Sequence, residues 1–298
     1  MTTGRIAEAM TVARLLDELA GTLAARGIAE PFSEAREIIA ALYDVPRFWP
    51  VTNANVAVDA DTLDRARVAA HRRAHGAPLG YAVGRASFRH LTLDVDDRVL
   101  IPRPETEQLV DLVLDEVADT GGAGDETWGV AIDVGTGSGA IALALAAEGS
   151  FSRVFGTDIS RDALDVARRN ATLAGPTLRA PVEFVHGSLL APLLDVRARV
   201  VVSNPPYIAL GEATALPPSV RDWEPAVALF SGADGLSATA RLVREAVDVL
   251  APGGVLALEV DVRRASLVAE MVSRERRFEA IRVELDLTGR ERFVLARR

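Results

Sequence analysis

A short apolar run, Val130 to Val134, passes into Asp133-Val-Gly-Thr-Gly-Ser-Gly139 and then directly into an apolar helical stretch, Ile141 to Glu148. A strand, a glycine turn and a helix in immediate succession form the first half of a β-α-β unit. Such a unit demands a parallel neighbour and a right-handed crossover, so it restricts the arrangement of the whole C-terminal part of the chain. The downstream pattern complies. Val154–Thr157, Val182–Val185, Val200–Ser203 and Val255–Val260 read as strands, and Arg161–Leu173 and Leu236–Leu250 as helices. Glu279–Leu285 and Arg292–Ala296 read as an edge pair. Ahead of the glycines, Thr106–Val117 reads as a helix and Asp119–Glu126 as a loop. The expected class is α/β, a doubly wound sheet.

The glycine spacing narrows the chemistry. Gly135, Gly137 and Gly139 let the backbone turn tightly and approach a ligand without an intervening Cβ. Alone, such a loop is also compatible with a plain turn or a dinucleotide site. The spacing is G-x-G-x-G rather than G-x-G-x-x-G, and it lacks the G-K-[ST] ending of a phosphate loop. Asp158, at the end of the next strand, is placed to accept hydrogen bonds from both hydroxyls of a ribose. It could instead cap a helix, as could Ser160. The joint pattern favours S-adenosyl-L-methionine, with Asp133, Gly135, Thr136, Gly137, Ser138, Gly139 and Asp158 as its candidate holders and Asp133 nearest the cationic methionine end.

Composition removes competing chemistries. The 298 residues contain no cysteine, which excludes thiolate metal sites, disulfides and cysteine nucleophiles. Four histidines leave little for a metal centre, and none is expected. The net charge is −9, which argues against a broad nucleic-acid or anionic-membrane surface. Arginine supplies every basic side chain, and with the abundant alanine and valine this reads as coding bias. No apolar run is long enough to span a membrane, and MTTGRIAEAM lacks a signal-peptide core, so a cytoplasmic enzyme is expected.

Asn204-Pro205-Pro206-Tyr207 follows the strand Val200–Ser203, at the sheet edge where doubly wound folds bind ligands. Two prolines fix the backbone and remove two donors, leaving a stiff loop with free carbonyls. A planar –NH2 group, whether carboxamide or adenine, is a poor nucleophile because its lone pair is delocalised. The Asn204 oxygen and the Pro205 carbonyl can each accept one of its hydrogens, which orients the nitrogen and stabilises developing positive charge. Tyr207 offers a flat face to the planar group. No general base is needed, so no steep pH limb is expected near neutrality. A bare proline-rich turn is the alternative.

The first part of the chain reads as helices. Val12, Leu15, Leu16, Leu19 and Leu23 recur at helical spacing. Ser33 is the expected N-cap of a helix carrying Ile38, Ile39, Leu42 and Tyr43, and Asp61 that of a third through Leu63, Ala66, Val68 and Ala69. His71-Arg72-Arg73 would complement that helix's C-terminal dipole as a solvated end, or contact a partner. From Ser87 to Ile101 the pattern suggests a hairpin turning at Asp96-Asp97. The expected divisions are residues 1–87, helical; 88–103, a hairpin linker that packs on the sheet domain; and 104–298, the sheet domain itself.

Pro78-Leu79-Gly80-Tyr81 with Gly84 and Phe88, Ile101-Pro-Arg-Pro-Glu-Thr-Glu107, the Asp133–Gly139 loop, Asp158, Asn204–Tyr207, Glu224-Pro225 and Gly232-Ala-Asp-Gly235 together resemble the HemK/PrmC family over most of the chain. These are peptide chain release factor N5-glutamine methyltransferases. The resemblance implies a Rossmann-like, seven-stranded class I methyltransferase domain whose last strand is antiparallel. It implies a helical N-terminal domain that docks the release factor, and methylation of the glutamine in that factor's Gly-Gly-Gln loop beside Tyr207. A monomer that binds neither nucleic acid nor membrane is expected.

Two stretches depart from the family pattern. Ser188 and Leu189 stand where an acidic residue and often an aromatic one approach the adenine, so apolar contact and backbone would hold it. Val260-Asp261-Val262-Arg263 replaces a glycine with a nearby glutamine. Glutamine methylation of a ribosomal protein shares the Asn204 chemistry and is a rival reading. N6-adenine DNA methylation is a second, disfavoured by the charge, and a silent binding module is a third.

Overall fold

The structure is a computed structural model, and the residues it describes are 9–120 and 127–298. In chain order they form α1 (Val12–Ala24), α2 (Pro31–Tyr43), α3 (Trp49–Thr52), α4 (Ala60–Ala74), α5 (Leu79–Val83), β1 (Arg85–Phe88), β2 (Leu91–Asp94) and α6 (Pro104–Thr120). Then come β3 (Val130–Val134), α7 (Ala140–Glu148), β4 (Arg153–Asp158), α8 (Arg161–Ala174), β5 (Val182–His186) and β6 (Ala198–Ser203). The short α9 (Pro218–Arg221) and α10 (Ala226–Leu229) precede α11 (Ser237–Val249), β7 (Leu250–Glu259), α12 (Ala265–Arg274), β8 (Glu279–Leu285) and β9 (Glu291–Arg297). Two compact units result: the described residues up to Arg85 with Pro218–Trp223, and Ala86–Pro217 with Glu224–Arg298.

The first unit is helical. Leu15, Leu19 and Leu23 of α1 and Ile38 and Ile39 of α2 share a buried cluster with Ala66, Ala69 and Ala70 of α4. Two helix starts differ from the sequence expectation. Pro31 takes the first position of α2, where its missing N–H costs nothing, so the helix begins before Ser33. Ser33 Oγ instead accepts from Arg36 and Arg47. Asp59, not Asp61, caps α4, accepting from the Thr62 N–H at 2.8 Å. His71, Arg72 and Arg73 do occupy the last turn of α4. Arg73 is nonetheless drawn into an ion pair with Glu34 of α2 at 2.5 Å, so that end is tied down rather than merely solvated.

The second unit is built on a seven-stranded sheet in the order β5-β4-β3-β6-β7-β9-β8. The first five are parallel, and β9 runs antiparallel to both β7 and β8. Alternate residues serve opposite faces. Ala131, Val200, Val202 and Ala257 pack with α6 and α7, while Ile132, Val201, Leu256 and Leu258 pack with α11 and α12. α7 is apolar all round and Ala140–Ala146 are buried, as expected of a helix enclosed on every side. α12 was not foreseen in the sequence, although it buries Ala265, Val268 and Val272 at helical spacing.

The hairpin is real but turns elsewhere. β1 and β2 pair across Arg89-His90, not Asp96-Asp97, with Arg89 at φ 53°. Arg89 accepts this costly conformation because its guanidinium is held by Glu148 at 2.8 and 2.6 Å and by the Glu107 carbonyl at 2.9 Å. Asp96 makes a separate local turn, accepting from the Arg98 N–H and guanidinium. Phe88, Leu91 and Leu93 are buried in the same cluster as α6 and α7. α6 continues through Asp119 to Thr120. The rest of the expected 119–126 loop, like the leader reading at residues 1–8, lies outside the described residues. Among the described residues no helix is long and apolar enough to cross a membrane.

Candidate active site

Strand register aligns the carboxyl ends that matter. Val134 of β3 lies opposite Thr157 of β4 and Ser203 of β6, and Ser203 lies opposite Leu258 of β7. The chain winds outward from β3 to β5 and returns to β6 on the other side of β3, so the switch point lies between β3 and β6. Gly135, Gly137 and Gly139 follow β3 with φ of 73°, 53° and 84°. The Gly135 and Thr136 amides donate to the Thr157 carbonyl at 2.8 and 2.9 Å, which folds the loop over β4. A Cβ on Gly135 or Gly137 would meet nothing within 4 Å, whereas one on Gly139 would lie 3.2 Å from Phe184. The first two glycines therefore leave space for a ligand, and the third allows packing against β5.

Two carboxylates frame this loop. Asp133 is buried, and its Oδ2 accepts from Thr136 Oγ1 at 2.6 Å and the Ala142 N–H at 3.1 Å. Its Oδ1 has no partner, and burial pushes the carboxyl up to about 7. Asp158 accepts from the Gly137 N–H at 3.0 Å and the Ser160 N–H at 2.9 Å. Burial raises its pKa, and those backbone donors oppose the rise. Ser160 is the cap of α8, accepting from the Ala163 N–H, so capping falls to one residue and the acidic position to another.

Across the switch point, Asn204 follows β6. Its Nδ2 donates to Thr106 Oγ1 at 3.1 Å, and Thr106 Oγ1 donates to Glu259 Oε2 at 2.7 Å. The loop after Asn204 is pinned: the Ile208 N–H donates to the Leu229 carbonyl and the Ser231 N–H to the Ile208 carbonyl. Gly235, at φ 77°, sits so close that a Cβ there would collide with the Tyr207 carbonyl oxygen. Tyr207 is half-buried, and burial followed by the nearby Glu259 raises its phenol to about 12.

A cavity of about 420 Å³ opens at this edge, within the usual range for small-molecule sites. Gly135, Gly137, Asp158, Ser188, Leu189, Asn204 and Pro206 line it. Asp133, Thr136, Ser138, Gly139, Pro205 and Tyr207 stand outside that lining. Ser188 accepts from Arg241 at 3.2 Å. Leu189 adopts φ 52°, a strained conformation in which its carbonyl accepts from Thr157 Oγ1 at 2.9 Å.

Three features were not assigned roles from the sequence. Thr106 and Glu259 lie behind Asn204. Arg103 Nη2 meets both oxygens of the buried Glu224 at 2.6 Å. Buried Asn170 donates to the Ser138 carbonyl at 2.9 Å and accepts from the Asp94 N–H at 2.7 Å, joining glycine loop to hairpin. An acidic residue closing an otherwise apolar strand, as in Leu256-Ala-Leu-Glu259, is a signal that could have found Glu259.

Comparison with known proteins adds independent findings. The methyltransferase small domain family matches residues 114–216, and the PrmC N-terminal domain family matches residues 14–84. A release factor glutamine methyltransferase of Deinococcus radiodurans is 39% identical over 290 residues, covering 97% of this chain and 99% of that one. The chain belongs to the release factor glutamine methyltransferase family. A second member of the family, from Streptomyces coelicolor, is 39% identical over 278 residues, 93% of this chain and 94% of its own. Among solved structures, the hMettl16 catalytic domain in complex with MAT2A 3'UTR hairpin 1 superposes with a TM-score of 0.55 at 16% identity, covering 87% of this chain and 90% of that one. That likeness is one of fold. This member of the release factor glutamine methyltransferase family is accordingly an enzyme with a class I methyltransferase fold.

Proposed function

We propose that this protein transfers a methyl group from S-adenosyl-L-methionine to the N5 side-chain amide nitrogen of the glutamine in the Gly-Gly-Gln loop of a peptide chain release factor. The observation that carries the reading is the cavity shared by Gly135, Gly137 and Asp158 on one side of the switch point and Asn204 and Pro206 on the other. The residues present suit the donor. Open space lies over Gly135 and Gly137, the Asp158 carboxylate can take ribose hydroxyls, and Ser188 and Leu189 offer backbone and apolar contact to an adenine. Behind the loop, Asp133 has one oxygen unpartnered, and a nearby cationic group would favour its ionised form.

When bound, the donor supplies an electrophilic methyl group on a sulfonium. The chain's own residues do the rest. Asn204 Oδ1 and the Pro205 carbonyl accept the two hydrogens of the substrate amide nitrogen, which orients its lone pair and stabilises charge developing on it. Pro205 and Pro206 hold those acceptors still. Tyr207 presents its ring to the planar amide. The helical unit would dock the body of the release factor, and the protein would work as a monomer in the cytoplasm, where its substrate is.

The names carried by its relatives support a release factor over a ribosomal protein as substrate. The test is incubation with labelled S-adenosyl-L-methionine and release factors, a ribosomal protein or DNA, with the label located by mass spectrometry. Label on the Gly-Gly-Gln glutamine nitrogen is expected. Label on another acceptor, or none on a release factor, would overturn the reading.

A further inference from the structure

The Asn204 side chain presents two nearly isosteric faces, an oxygen that accepts and an –NH2 that donates. The proposed reaction uses only the oxygen, and a turned amide would set donor against donor. Something must therefore hold it one way round. Two contacts in the second unit do so in sequence. Asn204 Nδ2 lies 3.1 Å from Thr106 Oγ1, and Thr106 Oγ1 lies 2.7 Å from Glu259 Oε2. A hydroxyl has one hydrogen to give, and an ionised carboxylate has none. The Thr106 hydrogen thus goes to Glu259, the Thr106 oxygen is left to accept, and the Asn204 atom facing it must be the –NH2. Oδ1 remains for an incoming N–H.

We propose that Thr106 and Glu259 are positioning residues that fix the Asn204 amide with its oxygen toward the substrate nitrogen. The role assigned to Asn204 rests on the function proposed above; the direction of the hydrogen-bond chain does not. Thr106 is brought there by the first turn of α6 and Glu259 by the last residue of β7, both buried. Protonation of Glu259 would reverse the chain. The carboxyl would donate to Thr106, and the Thr106 hydrogen would be free to point at Asn204 and select its oxygen.

The groups facing Glu259 are Thr106, Arg103 and Glu105 from the α6 end, Arg292 from β9 and Tyr207 from the loop after β6. Thr106, Arg292 and Arg103 favour the carboxylate, while burial and Glu105 disfavour it. Burial dominates and lifts the group to about 7. The sequence reading expected no steep limb near neutrality, because no base is needed. This relay adds one on the acid side.

Two measurements test the proposal. In cofactor-free protein, the side-chain ¹⁵N–H₂ signals of Asn204 should titrate near neutrality. They should stop titrating in Glu259→Gln and lose exchange protection in Thr106→Val. In turnover, Thr106→Val should lower kcat by about tenfold or more with KM for the methyl donor unchanged, and Thr106→Ser should restore most of it. Glu259→Gln should flatten the acid limb. Asn204 signals that do not titrate, or Val and Ser variants equal in kcat, would overturn the proposal. A wild-type protein with the expected signals but no release-factor methylation would overturn the function reading and leave the relay standing.

Discussion

An amide nitrogen shares its lone pair with a carbonyl, so its methylation depends on acceptors fixed before the reaction begins. Asn204→Ala removes one of the proposed acceptors and is expected to lower kcat by about 10²–10³. Cofactor affinity, measured by calorimetry, should barely change; full turnover would remove Asn204 from the chemistry. Asp158→Ala should do the reverse. It deletes a charge-assisted acceptor worth on the order of 1.5–3 kcal/mol, and it releases the Gly137 and Ser160 amides it holds. Weaker binding of S-adenosyl-L-methionine, about 10-fold or more, is expected, and an unchanged dissociation constant would sink the assignment. Asp133 carries a pH prediction. Its pKa rises on folding from 3.8 to about 7, so the folded state holds a proton the unfolded chain has lost. Its contribution is complete below about pH 4 and is lost as pH climbs to about 7, roughly 4 kcal/mol in all for a group this buried. Denaturation of cofactor-free protein should show stability declining across that window, less steeply in Asp133→Asn; equal slopes would refute it. The strand-end placement of Asn204 and Asp158 at the cavity was legible in the sequence because one stands beside prolines and the other at a β-α turn. Thr106 and Glu259 were not, because their contact spans 153 positions and only the folded sheet closes it.

Elements were more legible than the joints between them. The central parallel strands β3, β6 and the second half of β7 announce themselves as nearly continuous apolar runs, which is what burial on both faces demands, whereas the edge strand β5 alternates. Helix starts misled wherever several capping residues competed. Pro31 overrode Ser33 because it can begin a helix with no donor lost, and Asp59 overrode Asp61 because Thr62 gave it both a backbone and a hydroxyl partner. The hairpin turn was misplaced because Asp96-Asp97 looks like a turn by residue type, while Arg89 turns only with Glu107 and Glu148 supplied from α6 and α7. Gly235 shows how one element constrains another. At φ 77°, and with the Tyr207 carbonyl oxygen where a Cβ would go, it admits no side chain without displacing the loop after β6. Gly235→Ala is expected to lower stability by about 1–3 kcal/mol. It should also reduce kcat, through the shifted loop, more than it weakens cofactor binding. A variant with wild-type melting temperature and turnover would show that the loop yields freely.

At the scale of the whole molecule, the proposed chemistry and the proposed docking belong to separate units. The sheet unit has a buried cluster on each face and, among the described residues, owns those that line the cavity. Domains with their own core are expected to fold alone. The helical unit has its own cluster, and none of its described residues is in that lining. It does claim Pro218–Trp223, a segment reached from the sheet unit on both sides, with the Trp223 indole nitrogen 3.6 Å from where a Cβ on Gly76 would sit. Nothing in the sequence signalled that exchange, since it depends on contact between positions far apart in the chain. Removing residues 1–85 would uncover Trp223, so the truncation is best made with Trp223→Ser to prevent association through the bared indole. The shortened protein is expected to bind S-adenosyl-L-methionine with unchanged affinity. A short peptide carrying Gly-Gly-Gln should be methylated equally by both forms, because it uses only the cavity. Intact release factor should be methylated far more slowly by the shortened form, with the loss in KM rather than in kcat, because docking is what has been removed. Equal rates on intact factor would take the docking role away from the helices; loss of cofactor binding would show that the sheet unit does not stand alone.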